Sequence, residues 1–262
     1  GYYGWGNSYI TDWNGQYAIK NLPAGKYTVS IYSADYVRTS RWGVQAPSSG
    51  ADFVLSRGGR IVGKVKAPDG GGVSGMWVYA YADPWRDGGW AWGYTGADGS
   101  YTLTRVPAGS YVVRTSMGWG ATDKGYVPVS VRGVVVAEDQ NTTADLTLKT
   151  GVTISGKVTD EAGQAIGGVS LWGNANDSDS WWLYSSALSV DNGSYTLKGI
   201  SPDVDGYDIT AYKWSWGGQG DGKKYGRQVK YAVSPKSASV DFVLPIADGS
   251  VSGKVVDAKG NP

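Results

Sequence analysis

Apolar residues alternate with others in short runs along most of the chain. In residues 61–65, Ile61, Gly63 and Val65 occupy every second position, a period typical of a half-buried β-strand. No stretch sustains the period of 3.6 residues that an amphipathic helix requires. Similar runs, each ended by Gly, Pro, Asn or Asp, fall at 76–81, 92–95, 101–103, 111–115, 127–136 and 144–148. About seven short strands between turn residues predict an all-β domain of the sandwich type.

Three short phrases recur in the same order and mark a repeat of about 95 residues. The first is an aliphatic residue, one intervening residue and Gly-Lys-Val, beginning at Ile61, Ile154 and Val251. The second is a turn followed by Gly-x-Tyr, a proline and Gly-x-Tyr; its tyrosines are Tyr17 and Tyr27, Tyr101 and Tyr111, Tyr195 and Tyr207. The third ends each unit with an Asp and alternating apolar residues, at 51–55, 144–148 and 240–244.

The order of these phrases predicts the domain organisation. Residues 57–150 and 151–246 each carry all three phrases and are predicted to be complete β-sandwiches. Residues 1–56 lack the first phrase, so we expect an incomplete sandwich with an unpaired strand edge. Residues 247–262 begin with that phrase and are predicted to be a donor segment that completes residues 1–56 of a neighbouring unit by strand addition. The residues expected to form this polymerisation strand are Val251, Gly253, Lys254 and Val255.

The recurring phrases resemble the carboxypeptidase regulatory-like family. The matching features are the opening Gly-Lys-Val, a turn such as residues 257–262, and then Asp-Gly-Ser-Tyr and Pro-Ala-Gly-x-Tyr, as at 98–101 and 107–111. The resemblance implies tandem Ig-like, transthyretin-like (prealbumin-like) sandwiches. It also implies the stalks, spacers and adhesive modules of secreted proteins, and it supplies no catalytic residues.

Composition narrows the classes of function. The chain of 262 residues contains no Cys and no His, which excludes thiolate nucleophiles and imidazole acid–base chemistry. A formal charge of +1, spread evenly, argues against nucleic-acid binding. No apolar run is long enough to predict insertion into a membrane. We therefore expect a protein that is not an enzyme, and the start at Gly1 suggests a processed or excised chain.

Acidic residues in the turns have two interpretations. Asp12, Asp98 and Asp191 each stand shortly before or beside an Xaa-Gly turn, and carboxylates with turn carbonyls also suit calcium. Asp98-Gly99 favours a primed hairpin turn with positive φ at both residues. Because the regular spacing of calcium ligands is missing, turns are the better interpretation and no cofactor is expected, with Asp191 the best calcium candidate.

The lysines of the first phrase and the aspartates of the third invite comparison with Lys–Asp isopeptide crosslinks. That reaction needs a buried lysine and an adjacent Glu, and Glu occurs only at Glu138 and Glu161. Solvated cross-strand ion pairs are the better interpretation. The pairs concerned are Lys64 with Asp145, Lys157 with Asp241 and Lys254 with Asp52.

The chain carries 13 Trp and 19 Tyr, more than its small cores can hold. In residues 76–81, Val78 and Ala80 take one face, so the aromatics between them are predicted to point to the other. Exposed aromatics indicate packing between domains or subunits, sugar stacking, or local loop packing. The first interpretation leads because the clusters recur in each domain. The candidates for an aromatic interface or glycan site are Trp77, Tyr79, Tyr81, Trp85, Trp90, Trp92, Trp119, Trp181, Trp182, Trp214 and Trp216.

Asn141 and Asn176 match the acceptor pattern for N-glycosylation. Asn192 matches as well, but its turn accounts for it.

These observations predict a structural subunit of an extracellular or cell-surface filament. Its partner would be a second copy of the chain, joined head to tail through residues 247–262. A milder version is a longer covalent array of the same domains. The alternative function is a carbohydrate-binding or adhesive surface module that uses exposed Trp and Tyr to bind polysaccharide.

Overall fold

The structure is a computed structural model that describes residues 9–84, 89–116, 124–213, 224–237, 239–247, 249, 251–255 and 257–260. The secondary-structure elements in these ranges are all β-strands, and the strands form layered sheets around separate cores. The predicted all-β sandwich fold is therefore confirmed. The described residues contain no helix of the length and hydrophobicity needed to cross a membrane.

The middle domain packs two sheets face to face. The strands of this domain are β3 (Gly59–Lys66), β4 (Trp77–Ala82), β5 (Trp90–Tyr94), β6 (Ser100–Val106), β7 (Gly109–Ser116), β8 (Tyr126–Val127), β9 (Ser130–Val136), β10 (Asn141–Thr143) and β11 (Leu146–Thr147). In one sheet, β3 lies at the centre, antiparallel to β6 and parallel to β10 and β11. The other sheet is antiparallel, in the order β5-β4-β7-β9.

The C-terminal sandwich repeats this plan. Its strands are β13 (Val152–Asp160), β14 (Val169–Ala175), β15 (Tyr184–Leu188), β16 (Ser194–Ile200), β17 (Tyr207–Lys213), β18 (Gln228–Val233) and β19 (Phe242–Leu244), preceded by β12 (Lys149–Thr150), which pairs with β8. The central strand β13 is antiparallel to β16 and parallel to β19, and the facing sheet has the order β15-β14-β17-β18.

Each sandwich has its own apolar core, formed by the inward positions of alternating strands. The largest fully buried side chains are Tyr111, Tyr207, Phe242, Ile61, Met76, Leu103, Leu146, Leu148, Ile154, Leu171, Leu197 and Ile200. Val127 of β8 packs into the core of the C-terminal sandwich, so the two domains share apolar surface. The predicted boundaries between domains stay predictions.

The N-terminal region contains a single strand pair among its described residues. β1 (Gly25–Ile31) and β2 (Thr39–Ala46) are antiparallel. Residues 17–22 correspond by sequence to β6 and β16, and residues 51–55 to β11 and β19, yet neither segment is paired as a strand. The reason is physical: in the complete domains both counterparts pair with the opening strand, β3 or β13.

The three Asp-containing turns share one geometry, which corrects the expected primed turn. In each, the amide of the glycine donates to the carbonyl three residues earlier, as from Gly99 to Gly96 and from Gly193 to Val190. Positive φ occurs at the glycine and not at Asp98, which is the pattern of a type I turn followed by a bulge. Moreover, the turn at 96–100 joins β5 and β6, which belong to different sheets, so these strands are not a hairpin.

Candidate functional site: an unfilled strand position

In both complete domains, a tyrosine on one flanking strand reaches over a glycine of the central strand. Tyr101 lies opposite Gly63, and its hydroxyl donates to the backbone oxygen of Ala144 on the other flank. A Cβ at Gly63 would lie 2.1 Å from that same oxygen. A side chain therefore does not fit at this point of β3 without a backbone shift.

The C-terminal sandwich repeats the arrangement. Tyr195 lies opposite Gly156, and its hydroxyl donates to the backbone oxygen of Val240. A Cβ at Gly156 would lie 2.0 Å from that oxygen. Two independent copies thus show that the glycine of Gly-Lys-Val is needed for the tyrosine to bridge the central strand.

The aspartate of the third phrase accepts a hydrogen bond from the backbone amide of the lysine that follows this glycine. The amide of Lys64 donates to Asp145 Oδ1 at 2.9 Å, and the amide of Lys157 donates to Asp241 Oδ1 at 2.8 Å. A carboxylate that accepts a backbone N–H fixes the relative register of two strands more firmly than a mobile ion pair.

The predicted ion pair between Lys64 and Asp145 is wrong. Lys64 Nζ lies 3.0 Å from Asp98, because Lys64 is paired with Ser100 and Asp98 stands two residues before it. Asp145 instead receives Lys66 Nζ at 2.9 Å, from the same face of β3. Both pairs are exposed, which agrees with the expectation of solvated interactions.

Within its described part, residues 9–56, the N-terminal region retains both flanks of this arrangement without a central strand. The Tyr17 hydroxyl donates to the backbone oxygen of Ala51, as Tyr195 does to Val240. The rings of Tyr17 and Phe53 are 6.3 Å apart at 51°, and those of Tyr195 and Phe242 are 6.2 Å apart at 56°. The same bridge in the same geometry keeps the two flanks one strand apart. We call the position between residues 17–22 and 51–55 the strand slot.

Apolar side chains around the strand slot are only partly covered. Ile19, Phe53 and Leu55 are half-buried. Their counterparts in the complete domains are essentially inaccessible to solvent, at 2% exposure or less; these are Leu103, Leu146, Leu148, Leu197, Phe242 and Leu244. The difference is the surface that β3 or β13 covers, so the slot presents an apolar face that one more strand would bury.

The predicted polymerisation strand does not lie in this slot within the structure. Val251 and Val255 are fully exposed, and nothing lies within 4 Å of a Cβ placed at Gly253. Lys254 is exposed as well. The structure thus describes an unfilled slot and an uncovered segment with the matching phrase, and it does not bring the two together.

A second set of tyrosines closes the turn before β1 and β7. The hydroxyls of Tyr27 and Tyr111 donate to the carbonyls of Pro23 and Pro107, four residues upstream, at 2.8 and 2.7 Å. In the looser third copy, Tyr207 instead accepts a hydrogen bond from the amide of Ser201 at 2.9 Å. These recurring tyrosines are structural, as their register predicts.

Burial of the bridging tyrosines makes stability depend on pH. Desolvation raises the pKa of Tyr101 and of Tyr195 well above the ordinary value, with nearby Asp145 and Asp241 adding to the effect. The folded state therefore retains these protons more firmly than the unfolded state, whose tyrosines titrate near 10. The stabilisation is complete below about pH 10 and is lost as pH rises towards the folded pKa.

We expect the urea midpoint to fall as the pH rises above about 10, and to fall less in Tyr195→Phe than in the parent chain. The difference between the two declines isolates the contribution of Tyr195 from that of every group the two proteins share. An identical alkaline decline in both proteins would contradict the assignment.

Six aromatic residues form a continuous face on the outer side of β4 and β5. Three cross-strand pairs at alternate positions of the two strands lie side by side on this face, and Val78 and Ala80 between them point into the core. The Trp77 ring lies 3.5 Å from that of Tyr94 and 5.0 Å from that of Trp92. The pairs are Trp77 with Tyr94, Tyr79 with Trp92 and Tyr81 with Trp90.

One part of this aromatic face lies near the next domain, through Tyr81 and Arg114, and the other part is open to solvent. Its Trp90, Trp92 and Tyr94 are about half exposed, at 48%, 48% and 50%. The matching strands of the C-terminal sandwich, β14 and β15, have only the pair Trp172 and Tyr184 stacked at 5.9 Å. The sugar-stacking interpretation of the exposed half stays a prediction.

Arg114 joins the two complete domains, a role that the sequence analysis missed. Its guanidinium lies 5.1 Å from the ring of Tyr81 in its own domain, and 5.1 and 5.8 Å from the rings of Trp181 and Trp182 in the next. Arg114 Nη1 is buried and has no hydrogen-bond partner among the described residues. Aromatic faces therefore supply its electrostatic contact. The available signal was one arginine inside the apolar run 111–115.

Trp181 and Trp182 thus lie at a contact between domains. Packing between domains is the interpretation that the sequence favours for the aromatic clusters. Trp85, Trp119, Trp214 and Trp216 lie outside the described residues. Asn141 and Asn176 are both exposed. Within the described ranges, no group of three or more carboxylates is arranged to hold a metal ion.

Comparison with known proteins supports the family resemblance over one domain. Residues 60–149 match the model of the carboxypeptidase regulatory-like domain, which confirms the resemblance for the middle sandwich. No match was found among curated proteins.

Several solved structures of pilins are similar to the chain. The shaft pilin SpaA of Lactobacillus rhamnosus GG has 13% identity and a TM-score of 0.30, covering 74% of this chain and 100% of its own. A streptococcal ancillary pilin has 13% identity and a TM-score of 0.30, with 87% and 77% covered. The minor pilin GBS52 of Streptococcus agalactiae has 10% identity and a TM-score of 0.33, with 75% and 99% covered. These scores are too low to serve as support for a shared assembly.

Proposed function

We propose that this chain is a structural subunit of an extracellular filament. Residues 60–149 match the carboxypeptidase regulatory-like domain, a second sandwich repeats the same plan, and the described residues of a third region lack one strand of it. In this proposal, residues 247–262 of one chain complete residues 1–56 of the next. The subunits are then joined head to tail, and the chain acts as a building element without catalysis.

The strand slot is the observation that carries the proposal. The bridge from Tyr17 to Ala51 holds two unpaired segments one strand apart, with a half-covered apolar face between them. An unfilled position of this kind is a template for strand addition. The chain also contains an exposed segment with the phrase that fills the equivalent position in both complete domains.

The geometry of this contact favours an open polymer. The donor and the slot are different surfaces of the same chain, so the contact is heterologous and each added subunit presents a new donor. The resemblance to stalk and spacer domains supports a location outside the cell or on its surface. The prominent acidic residues Asp98, Asp145 and Asp241 accept structural hydrogen bonds, which accords with a role other than catalysis.

Deletion of residues 247–262 tests the proposal. We expect the full chain to form concentration-dependent oligomers and filaments, measured by sedimentation velocity and electron microscopy, and the truncated chain to remain a single short species. A chain whose last sixteen residues are scrambled is the matched control and should also fail to assemble. Long filaments from either variant would contradict strand donation.

The denaturing mass of native material distinguishes separate subunits from a covalent array. A mass near 27.7 kDa is expected for separate subunits. A far larger mass would retain the fibre architecture and exclude donation between chains.

A further inference from the structure

We propose that the donor enters the strand slot in a single register, in which Gly253 lies beneath Tyr17 and Tyr17 acts as a clasp over it. This inference rests on the proposed function, because it specifies how residues 251–255 of a second copy would be recognised.

The register follows from the two filled domains, which agree residue by residue. Gly63 and Gly156 lie opposite Tyr101 and Tyr195, so Gly253 belongs opposite Tyr17. Ile61 pairs with Leu103 and Ile154 with Leu197, which places Val251 opposite Ile19. Val65 pairs with Leu146 and Val158 with Phe242, which places Val255 beside Phe53. Both valines, fully exposed in the free chain, would then cover the half-buried face of the slot.

The glycine requirement excludes the neighbouring registers. In the filled domains a Cβ at this position would lie too close to the carbonyl oxygen that the tyrosine binds, at 2.1 Å for Gly63 and 2.0 Å for Gly156. A slip of two residues would place Val251 or Val255 beneath Tyr17. A slip of one residue would turn the valines to solvent.

Asp52 provides a second register mark. Its counterparts Asp145 and Asp241 accept the backbone amide of the lysine that follows the glycine, at 2.9 and 2.8 Å. Asp52 is exposed and follows Ala51 directly, so in the proposed register it accepts the amide of Lys254.

Tyr17 is a clasp because its bond to Ala51 spans the space that the donor occupies. The hydroxyl already bonds to Ala51 over the unfilled slot. A strand can enter only after this bond opens, and the same bond re-forms over Gly253, where the absent side chain leaves room. The bond therefore slows entry and, after entry, slows release.

Engineered cysteines test the register directly, since the chain has no native cysteine. In the C-terminal sandwich the hydroxyls of Ser155 and Thr196 lie 3.1 Å apart across the strand pair. Their counterparts are Ser252 and Ala18. The full chain with Ser252→Cys and Ala18→Cys should form disulfide-linked multimers on oxidation, resolved by non-reducing electrophoresis and mass spectrometry.

The matched control combines Ser252→Cys with Lys20→Cys. Lys20 lies two residues further along the same flank, too far from position 252 for a disulfide in the proposed register. A control that crosslinks while the first pair does not would overturn the register.

Substitutions at and beside Gly253 separate failure of this inference from failure of the proposed function. Gly253→Ala should weaken assembly by about ten- to a hundredfold in concentration. Ser252→Ala is the control, because the equivalent positions of β3 and β13 carry the side chains of Val62 and Ser155, and it should assemble as the parent does. If the parent assembles and Gly253→Ala assembles equally well, the register is wrong although donation stands. If the parent does not assemble, or the cysteines link within one chain, the proposed function fails.

Tyr17→Phe tests the clasp separately from the register. A labelled peptide of residues 247–262 bound to the full chain should dissociate about three- to tenfold faster when Tyr17 lacks its hydroxyl. The Ser252–Ala18 crosslink should still form. An unchanged dissociation rate would overturn the clasp.

Discussion

Phe242→Ala is expected to destabilise the C-terminal sandwich by about 3–5 kcal/mol, the range for removing a large aromatic from a packed core. Phe242 is 1% exposed and contacts Tyr195 beneath the central strand β13. The equivalent Phe53→Ala should cost less than about half of that in the unassembled chain, because Phe53 lies beside the unfilled slot and retains access to water.

Amide hydrogen exchange measures the two effects separately, since protection in each domain reports its local stability. The strands β13 and β19 report on Phe242, and residues 17–22 and 51–55 report on Phe53. Equal losses at low protein concentration would show that Phe53 is already in a finished core. Adding the donor peptide should bring the effect of Phe53→Ala closer to that of Phe242→Ala.

Gly156→Ala is expected to cost about 3 kcal/mol, the upper end for forcing extra atoms into a packed site. The new Cβ would lie 2.0 Å from the backbone oxygen of Val240 and 2.9 Å from the ring of Tyr195. Backbone atoms cannot move aside as a flexible side chain can. We therefore expect the strand pairs on both sides of β13 to separate locally.

Calorimetry should show the transition of this domain lowered by about 12 °C or more. Gly173→Ala is the control, because its Cβ would meet Leu197 at an ordinary 3.4 Å. The control should change the transition little. Equal shifts in both variants would show that the tyrosine bridge does not depend on glycine.

Local patterns were sufficient to predict most strands. The alternation at 61–65 and 76–81 corresponds to β3 and β4, and the outward position of Trp77 and Tyr79 is confirmed. Turn residues marked their ends, because glycine supplies the left-handed conformation that follows each type I turn. These features depend on neighbours in sequence, which a sequence displays directly.

Features that depend on neighbours in space were not predicted in the same way. The partner of Lys64 depends on the register of β3 with β6, and it is Asp98 where the repeat suggested Asp145. The assignment of β5 and β6 to different sheets depends on how two layers pack. The need for glycine in Gly-Lys-Val became clear only once Tyr101 was seen to cross over Gly63.

The aromatic surroundings of Arg114 determine how the joint between the complete domains responds to ionic strength. The exposed ion pair Lys149–Asp203 links residues of the two domains at 2.7 Å, and dissolved salt screens such a pair. Arg114 Nη1 is buried and the guanidinium lies against ring faces, so its attraction is screened less than that of an exposed ion pair. The relative orientation of these domains should consequently persist from dilute buffer to brine.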